Sequence, residues 1–335
     1  MLHRKALVPV VPGLFSFQTY YLFHNISRSR WVSSYMYAQP RAQQFLRPLA
    51  VWLAIICLSS FTAIDKPAYR LFTATGKATD YDKMLKELAK ADVVFFGEQH
   101  NDPMGHWLEL QLTKDLAQLK QGQFVLGMEM LERDVQPLVD QYTTGELDDK
   151  AFEEQSRPWP NYGTDYKPLL QLAKQQKFRV VGTNVPRRYA SQVAKGSLVT
   201  LNELPAEEKA WMAPLPITVD YELPGYKNMA KMFGGDAAHA AGVQNIIQAQ
   251  ALKDATMAHF LTQARAEGQL LLHLNGSYHS DNHDGIIAYL RQTNPKLKVL
   301  TISTVSQEQL SKLDKENEQK ADFVLVIPTD MTKTY

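Results

Sequence analysis

Residues 93–96 are four β-branched or aromatic residues in a row, Val93-Val94-Phe95-Phe96, and they empty into Gly97-Glu98-Gln99-His100-Asn101-Asp102-Pro103. An apolar run without alternation predicts a strand covered on both faces, as in a parallel sheet with helices on either side. Asp102-Pro103 predicts a helix start: the carboxylate accepts from free backbone N–H groups, and proline at the first helical position gives up none. Glu98 and His100 then stand between the carboxyl end of a strand and the amino end of a helix, where open α/β sheets bind ligands. The same change of pattern recurs at Leu270-Leu271-Leu272-His273-Leu274, which runs into Asn275-Gly276-Ser277-Tyr278-His279 before helical spacing at Ile286, Ile287 and Leu290. Two Gly-x-x-His exits bring two imidazoles to one rim if both strands share a sheet.

The stretches between these exits alternate in period. Residues 80–90 read as an amphipathic helix, with Met84, Leu85 and Leu88 on one side. Residues 104–119 carry leucines at helical spacing and form a crossover helix. Residues 124–130 are a second strand with Glu129 at its carboxyl end. Residues 135–177 are helical but broken at Gly145 and at the aromatic- and proline-rich stretch 157–166, an ordered surface loop. A helix at 167–176 leads to a third strand at 178–182, which exits towards Asn184, Arg187 and Arg188. Residues 188–267 show no strand and are expected to be a helical insertion. Within it, 213–235 is a long loop suited to a lid, and 243–266 is a helix with Gln250, Asp254 and Met257 on one face. Strands follow at 270, 298–303 and 323–327. The expected fold class is α/β, a mostly parallel sheet flanked by helices, with a small inserted all-helical subdomain.

Composition narrows the function. A chain of 335 residues with 45% hydrophobic and 21% charged residues and a formal net charge of +1 reads as globular, with no basic excess to recommend a nucleic-acid partner. The single cysteine, Cys57, removes Cys-x-x-Cys metal and redox sites and covalent c-type haem. Glycine-rich phosphate loops and the Gly-x-Ser-x-Gly elbow are also missing from the sequence.

Residues 49–64 are apolar and uncharged, preceded by Arg41 and Arg47 and followed by Asp65-Lys66-Pro67. This is the layout of a secretory signal, short of the roughly 20 residues of a spanning helix. The expectation is an N-terminal extension with a signal peptide or signal anchor over residues 1–64, and an α/β domain over 65–330. A start at Met36 would turn Arg41 and Arg47 into an ordinary n-region. Cys57 invites lipidation, but Ile56 stands where a lipoprotein signal has a small residue.

The polar residues at strand exits are Glu98 and His100, Glu129, Asn184 with Arg187 and Arg188, and His279 with Asp281 and His283. Each has an ordinary reading as a helix cap or solvated side chain, but four exits of one character suit a ligand site. His100, His279, Glu98 and Glu129 match the ligand set and general base of a hydrolytic centre holding a divalent Zn, Mn or Fe ion. Without metal, the same four can work as acid and base. As a binding site, Arg187 and Arg188 suit a carboxylate clamp such as haem propionates require. A tyrosinate can then hold ferric iron, with Tyr162, Tyr166 and Tyr278 among the tyrosines near the exits.

The segments Asp92-Val-Val-Phe-Phe-Gly-Glu-Gln-His100, Gly127-Met-Glu-Met130, Asp165-Tyr-Lys-Pro168, Asn184-Val-Pro-Arg187 and Asn275-Gly-Ser-Tyr-His279 resemble the ChaN-like haem-binding uptake family of the Tiki superfamily. The resemblance implies an exported bacterial protein of the cell envelope that binds haem in a pocket completed by a homodimer. Tyrosine would sit on iron, and envelope transport machinery would be the partner in iron acquisition. Tyr166, within the matched Asp-Tyr-Lys-Pro, and nearby Tyr162 are the ligand candidates it offers. Other branches of the superfamily resemble metal-dependent proteases or esterases using the two histidines and a glutamate.

Overall fold

In a computed structural model of the chain, residues 66–234 and 240–335 are described. The secretory segment, Met36 and Cys57 lie outside them. Eight strands form one sheet: β1 (Arg70–Thr73), β2 (Ala78–Thr79), β3 (Val93–Glu98), β4 (Phe124–Glu132), β5 (Arg179–Asn184), β6 (Leu270–Gly276), β7 (Val299–Gln307) and β8 (Phe323–Pro328). Their order is β2-β1-β8-β7-β3-β6-β4-β5, parallel from β8 to β5, with β1 antiparallel to both β2 and β8. The two Gly-x-x-His strands are immediate neighbours, with Gly97 opposite Asn275 and Glu98 opposite Gly276.

The unalternating runs are buried on both faces because successive side chains point to opposite sides. Val94, Phe96, Leu126, Leu272 and Leu274 join one core and Val93, Phe95, Val125 and Leu271 the other. The first core is covered by α1 (Tyr81–Leu88), α2 (Pro103–Lys120), α3 (Gln136–Thr144), α4 (Asp149–Ser156) and α5 (Lys167–Gln176), through Leu88, Leu112, Val139, Phe152 and Leu169. α2 starts as expected: the Asp102 side chain accepts from Met104 N at 3.0 Å and Gly105 N at 3.2 Å, with Pro103 in the first turn. The second core is closed by α9 (Ala241–Ala264) and α10 (Ile286–Thr293), through Met257, Leu261, Ile287 and Leu290.

The insertion is helical: α6 (Arg187–Gly196), α7 (Ala206–Lys209), α8 (Pro224–Gly234) and the amino-terminal half of α9. Val185, Tyr189, Val193, Leu201, Met212 and Leu252 give it a core of its own. Its last helix does not stop there, for the carboxyl half of α9 lies on the sheet. The expected loop at 213–235 contains α8. Pro224-Gly225 looks like a turn in sequence, but here the proline occupies the first helical position, where its missing N–H costs nothing. Among the described residues, no helix is long and apolar enough to cross a membrane.

Candidate functional site

Strand parity decides where the two glutamates go. Glu98 follows Val94 and Phe96 to the face under α2, whereas Glu129 follows Val125 to the face under α9. Both are buried. His100, just past the end of β3, joins the two sides: its Nδ1 donates to Glu98 Oε1 at 2.7 Å, while its ring lies against Gly276 on the neighbouring strand.

Under α2, the Tyr166 hydroxyl also donates to Glu98 Oε1, at 2.6 Å. His106 Nδ1 stands 2.9 Å from Glu109 Oε2 and 3.6 Å from Glu98 Oε2. The other nitrogen, Nε2, donates to the His100 carbonyl at 3.1 Å and lies 3.4 Å from Asp165 Oδ2. Asn161 ties the same carbonyl to Asp165. Burial opposes charge on Glu98, yet the bond from His100 and the charge of His106 hold it below the usual carboxylate range. Glu109 goes the other way: burial and the adjacent Glu98 charge push it well above that range. Burial also works against His106, but the bond to Glu109 and the surrounding carboxylates raise it to about 10.

Under α9, His279 is held between two carboxylates, Nδ1 to Asp254 Oδ1 at 2.5 Å and Nε2 to Glu129 Oε1 at 3.2 Å. The Gln250 side-chain amide is 3.0 Å from the same ring. Glu129 accepts from Gly276 N at 2.8 Å, and Asp254 accepts from the Tyr226 hydroxyl at 2.7 Å. Against burial, the two carboxylates raise His279 to about 10, and His279 and His100 in turn hold Glu129 well below the usual range. Behind them His273, fully buried, is braced by Thr183 at 2.8 Å and Asn275 at 3.0 Å. Gly127 makes room for it, since a Cβ there would stand 2.8 Å from the His273 ring.

Above this floor opens a cavity of about 1040 Å³ reached by His100, Glu129, His279, Arg187, Arg188 and Tyr278. Its apolar wall is Pro158, Trp159, Pro160, Met229, Met232 and Phe233. Of the sequence-predicted residues, Glu98 does not face the cavity and acts on it through His100. Tyr162 and Tyr166 do not face it either. Both are buried in the first core, with burial raising their hydroxyls above the usual range. Their stretch is not a surface loop but a π-type turn, Tyr162–Tyr166, feeding α5. Tyr278 is 65% exposed and lines the cavity. Arg188 is already paired with Asp134 at 2.8 Å, while the side chains of Arg187 and Lys253 line the cavity without an ion pair among the described residues.

Of the four predicted metal residues, Glu98 pairs with His100 and Glu129 with His279. Among the described residues, the three whose donor atoms all lie within 4.8 Å of one another are Glu98, His106 and Glu109. The sequence reading missed His106, Glu109 and Asp165. A signal was present: His106, Glu109 and Thr113 share helical spacing with Leu108, Leu112 and Leu116, so α2 buries polar groups on its apolar side.

A family model described as haem-binding uptake, Tiki superfamily, ChaN matches residues 84–290. The chain belongs to that family. Among solved structures, this ChaN-family chain is similar to ChaN of Campylobacter jejuni, described with cofacial haem binding. The identity is 18% and the TM-score 0.57, over 77% of this chain and 96% of that one. It is also similar to a Bacillus cereus protein at 14% identity and TM-score 0.45, over 84% and 97%. An erythromycin esterase mutant in its open conformation matches at 12% and 0.40, over 78% and 83%. No curated protein matches the chain.

Proposed function

We propose that this chain binds haem in the cavity above His100 and His279 and serves iron or haem uptake as an exported protein of the cell envelope. One observation carries the reading: apolar side chains, cations without an ion pair among the described residues and an exposed tyrosine line one large cavity. The volume stands at the upper end of the roughly 300–1,000 Å³ of small-molecule sites, which suits a macrocycle. Trp159, Met229, Met232 and Phe233 would cover the porphyrin faces, and Arg187 and Lys253 would take the propionates. Tyr278 would approach the iron, which tyrosine ligates in other haem proteins. Met232 and Phe233 are exposed at 62% and 57%, so a second copy closing over them would complete the pocket. Family membership supports haem as the ligand. The signal-like run at 49–64 supports export and, with it, envelope transport machinery as the partner.

Titration of the purified chain with haemin tests this. A saturable Soret shift that weakens in Tyr278→Phe and persists in Tyr166→Phe is expected. No shift at micromolar haemin would end the haem reading.

A second reading rests on the cavity floor. His100 lines the cavity while Glu98 fixes its Nδ1, which is the arrangement of a general base and its orienting carboxylate. Glu129 and His279 complete an acid–base set beside it. Hydrolysis of an ester or peptide library lost in both His100→Ala and His279→Ala would support this reading, and turnover unchanged by either would remove it.

A further inference from the structure

The charged cluster under α2 is not used by a ligand in the cavity. Glu98, Glu109 and Asp165 bring three buried carboxyl groups around the single buried imidazole of His106. Two of their oxygens, Glu98 Oε2 and Glu109 Oε1, are buried and have no hydrogen-bond partner among the described residues. Such depth calls for an occupant between them, either a proton shared by the two glutamates or a cation.

Three features of the cluster fit a cation. The donor spacing brackets the range a cation needs: His106 Nδ1 lies 2.9 Å from Glu109 Oε2 and 3.6 Å from Glu98 Oε2, and the donor atoms of all three residues lie within 4.8 Å of one another. Two donors each about 2.1 Å from a common ion stand roughly 3.0 to 3.4 Å apart at octahedral and tetrahedral angles. The far side of the histidine is also arranged as a metal-binding imidazole requires. Its Nε2–H is spent on the His100 carbonyl and faces Asp165, which leaves Nδ1 directed at the two glutamates, where an incoming cation would displace the proton it holds towards Glu109. Finally, the donors sit on rigid elements, the end of β3 and the first turns of α2, and the remaining Glu98 oxygen is fixed by Tyr166 and His100.

We propose that Glu98 Oε2, Glu109 and His106 Nδ1 hold one divalent first-row cation beneath the floor of the cavity. One imidazole with two carboxylates suits manganese, iron or zinc and not a soft monovalent ion. The ion is a structural element that fixes Glu98, and through Glu98 the His100 ring. This differs from a metal held by His100 and His279, and it does not depend on haem.

The test uses the full chain, dialysed against a chelator and titrated with Co²⁺ alone and Mn²⁺ alone, with bound metal measured by elemental analysis. One equivalent of Co²⁺ with visible absorption bands and a raised melting temperature is expected. Affinity should fall at least tenfold in Glu109→Gln and His106→Gln and stay within twofold in His279→Gln. No stoichiometric binding by the unmodified chain would mean that the glutamates share a proton only, and would overturn the proposal. Binding lost in His279→Gln but kept in Glu109→Gln would overturn it equally. If either cluster variant fails to fold by circular dichroism, pulsed EPR of Mn²⁺ on the unmodified chain decides. Coupling to one imidazole nitrogen is expected, and coupling to none or to two would refute the site.

Discussion

The His100 ring occupies the space in which a side chain at Gly276 would stand: a methyl group there would lie 2.7 Å from Cε1 and Nε2 of the ring and 3.7 Å from Glu129 Oε2. The two glycine exits are therefore not equivalent. Each supplies an imidazole, but the glycine of the second also supplies the gap into which the imidazole of the first fits.

Gly276→Ala is expected to displace His100 with little loss of fold. The backbone at 276 has φ −57, which any residue adopts, so the cost is that of moving one ring off its rotamer, about 0.5–1.5 kcal/mol. The His100 titration followed by NMR should change, because its bond to Glu98 is weakened. An unaltered His100 resonance would show that the ring has room to spare.

His273 should make the fold sensitive to acid. Burial depresses its pKa from 6.5 to about 4, so the native state holds it neutral. Its contribution is complete above pH 6.5 and is lost as pH falls from 6.5 towards 4, amounting to at most about 3 kcal/mol. Chemical denaturation across that window should show wild type losing stability relative to His273→Gln. Parallel curves for the two proteins would contradict this.

His279 should act at the opposite end of the scale. Its pKa is raised to about 10, so its contribution is complete below pH 6.5 and declines as pH rises from 6.5 towards 10. Asp254→Ala strips the ring of one carboxylate and leaves a buried charge short of a partner. A loss of about 3–5 kcal/mol at neutral pH is expected, with a shallower alkaline decline than in wild type.

If haem occupies the cavity, Arg187→Ala and Lys253→Ala should each weaken haemin binding about tenfold. That is the order of one charge-assisted bond, roughly 1.5 kcal/mol. Arg188→Ala should weaken it less, since that side chain is already committed to Asp134. Equal losses from all three would point to general electrostatic attraction, which added salt would abolish.

Much of the fold was readable because buried parallel strands are apolar throughout, and both Gly-x-x-His exits advertise themselves as breaks in such runs. Asp102-Pro103 likewise announced its helix. What escaped notice did so for local reasons. β1 is only four residues long and pairs antiparallel between β2 and β8, too short for periodicity to register. α8 hid behind Pro224-Gly225. Tyr162 and Tyr166 sit in an aromatic- and proline-rich stretch that looks like a surface loop, yet packing against Phe152 and the bond to the distant Glu98 turn them inward. The division of Glu98 from Glu129 follows from counting alternate positions along β3 and β4. It acquires meaning only once the neighbouring strands and covering helices are known.

α8 grips the floor at two adjoining points: Gly225 N donates to Asp284 at 2.8 Å, and Tyr226 donates to Asp254. Met229, Met232 and Phe233 of the same helix form part of the cavity wall. The helix is thus a latch whose catch is the carboxylate that steadies His279. Swinging it aside to admit a bulky guest would take from Asp254 one of its two bonds, so entry to the chamber and the pose of its deepest imidazole are mechanically geared together.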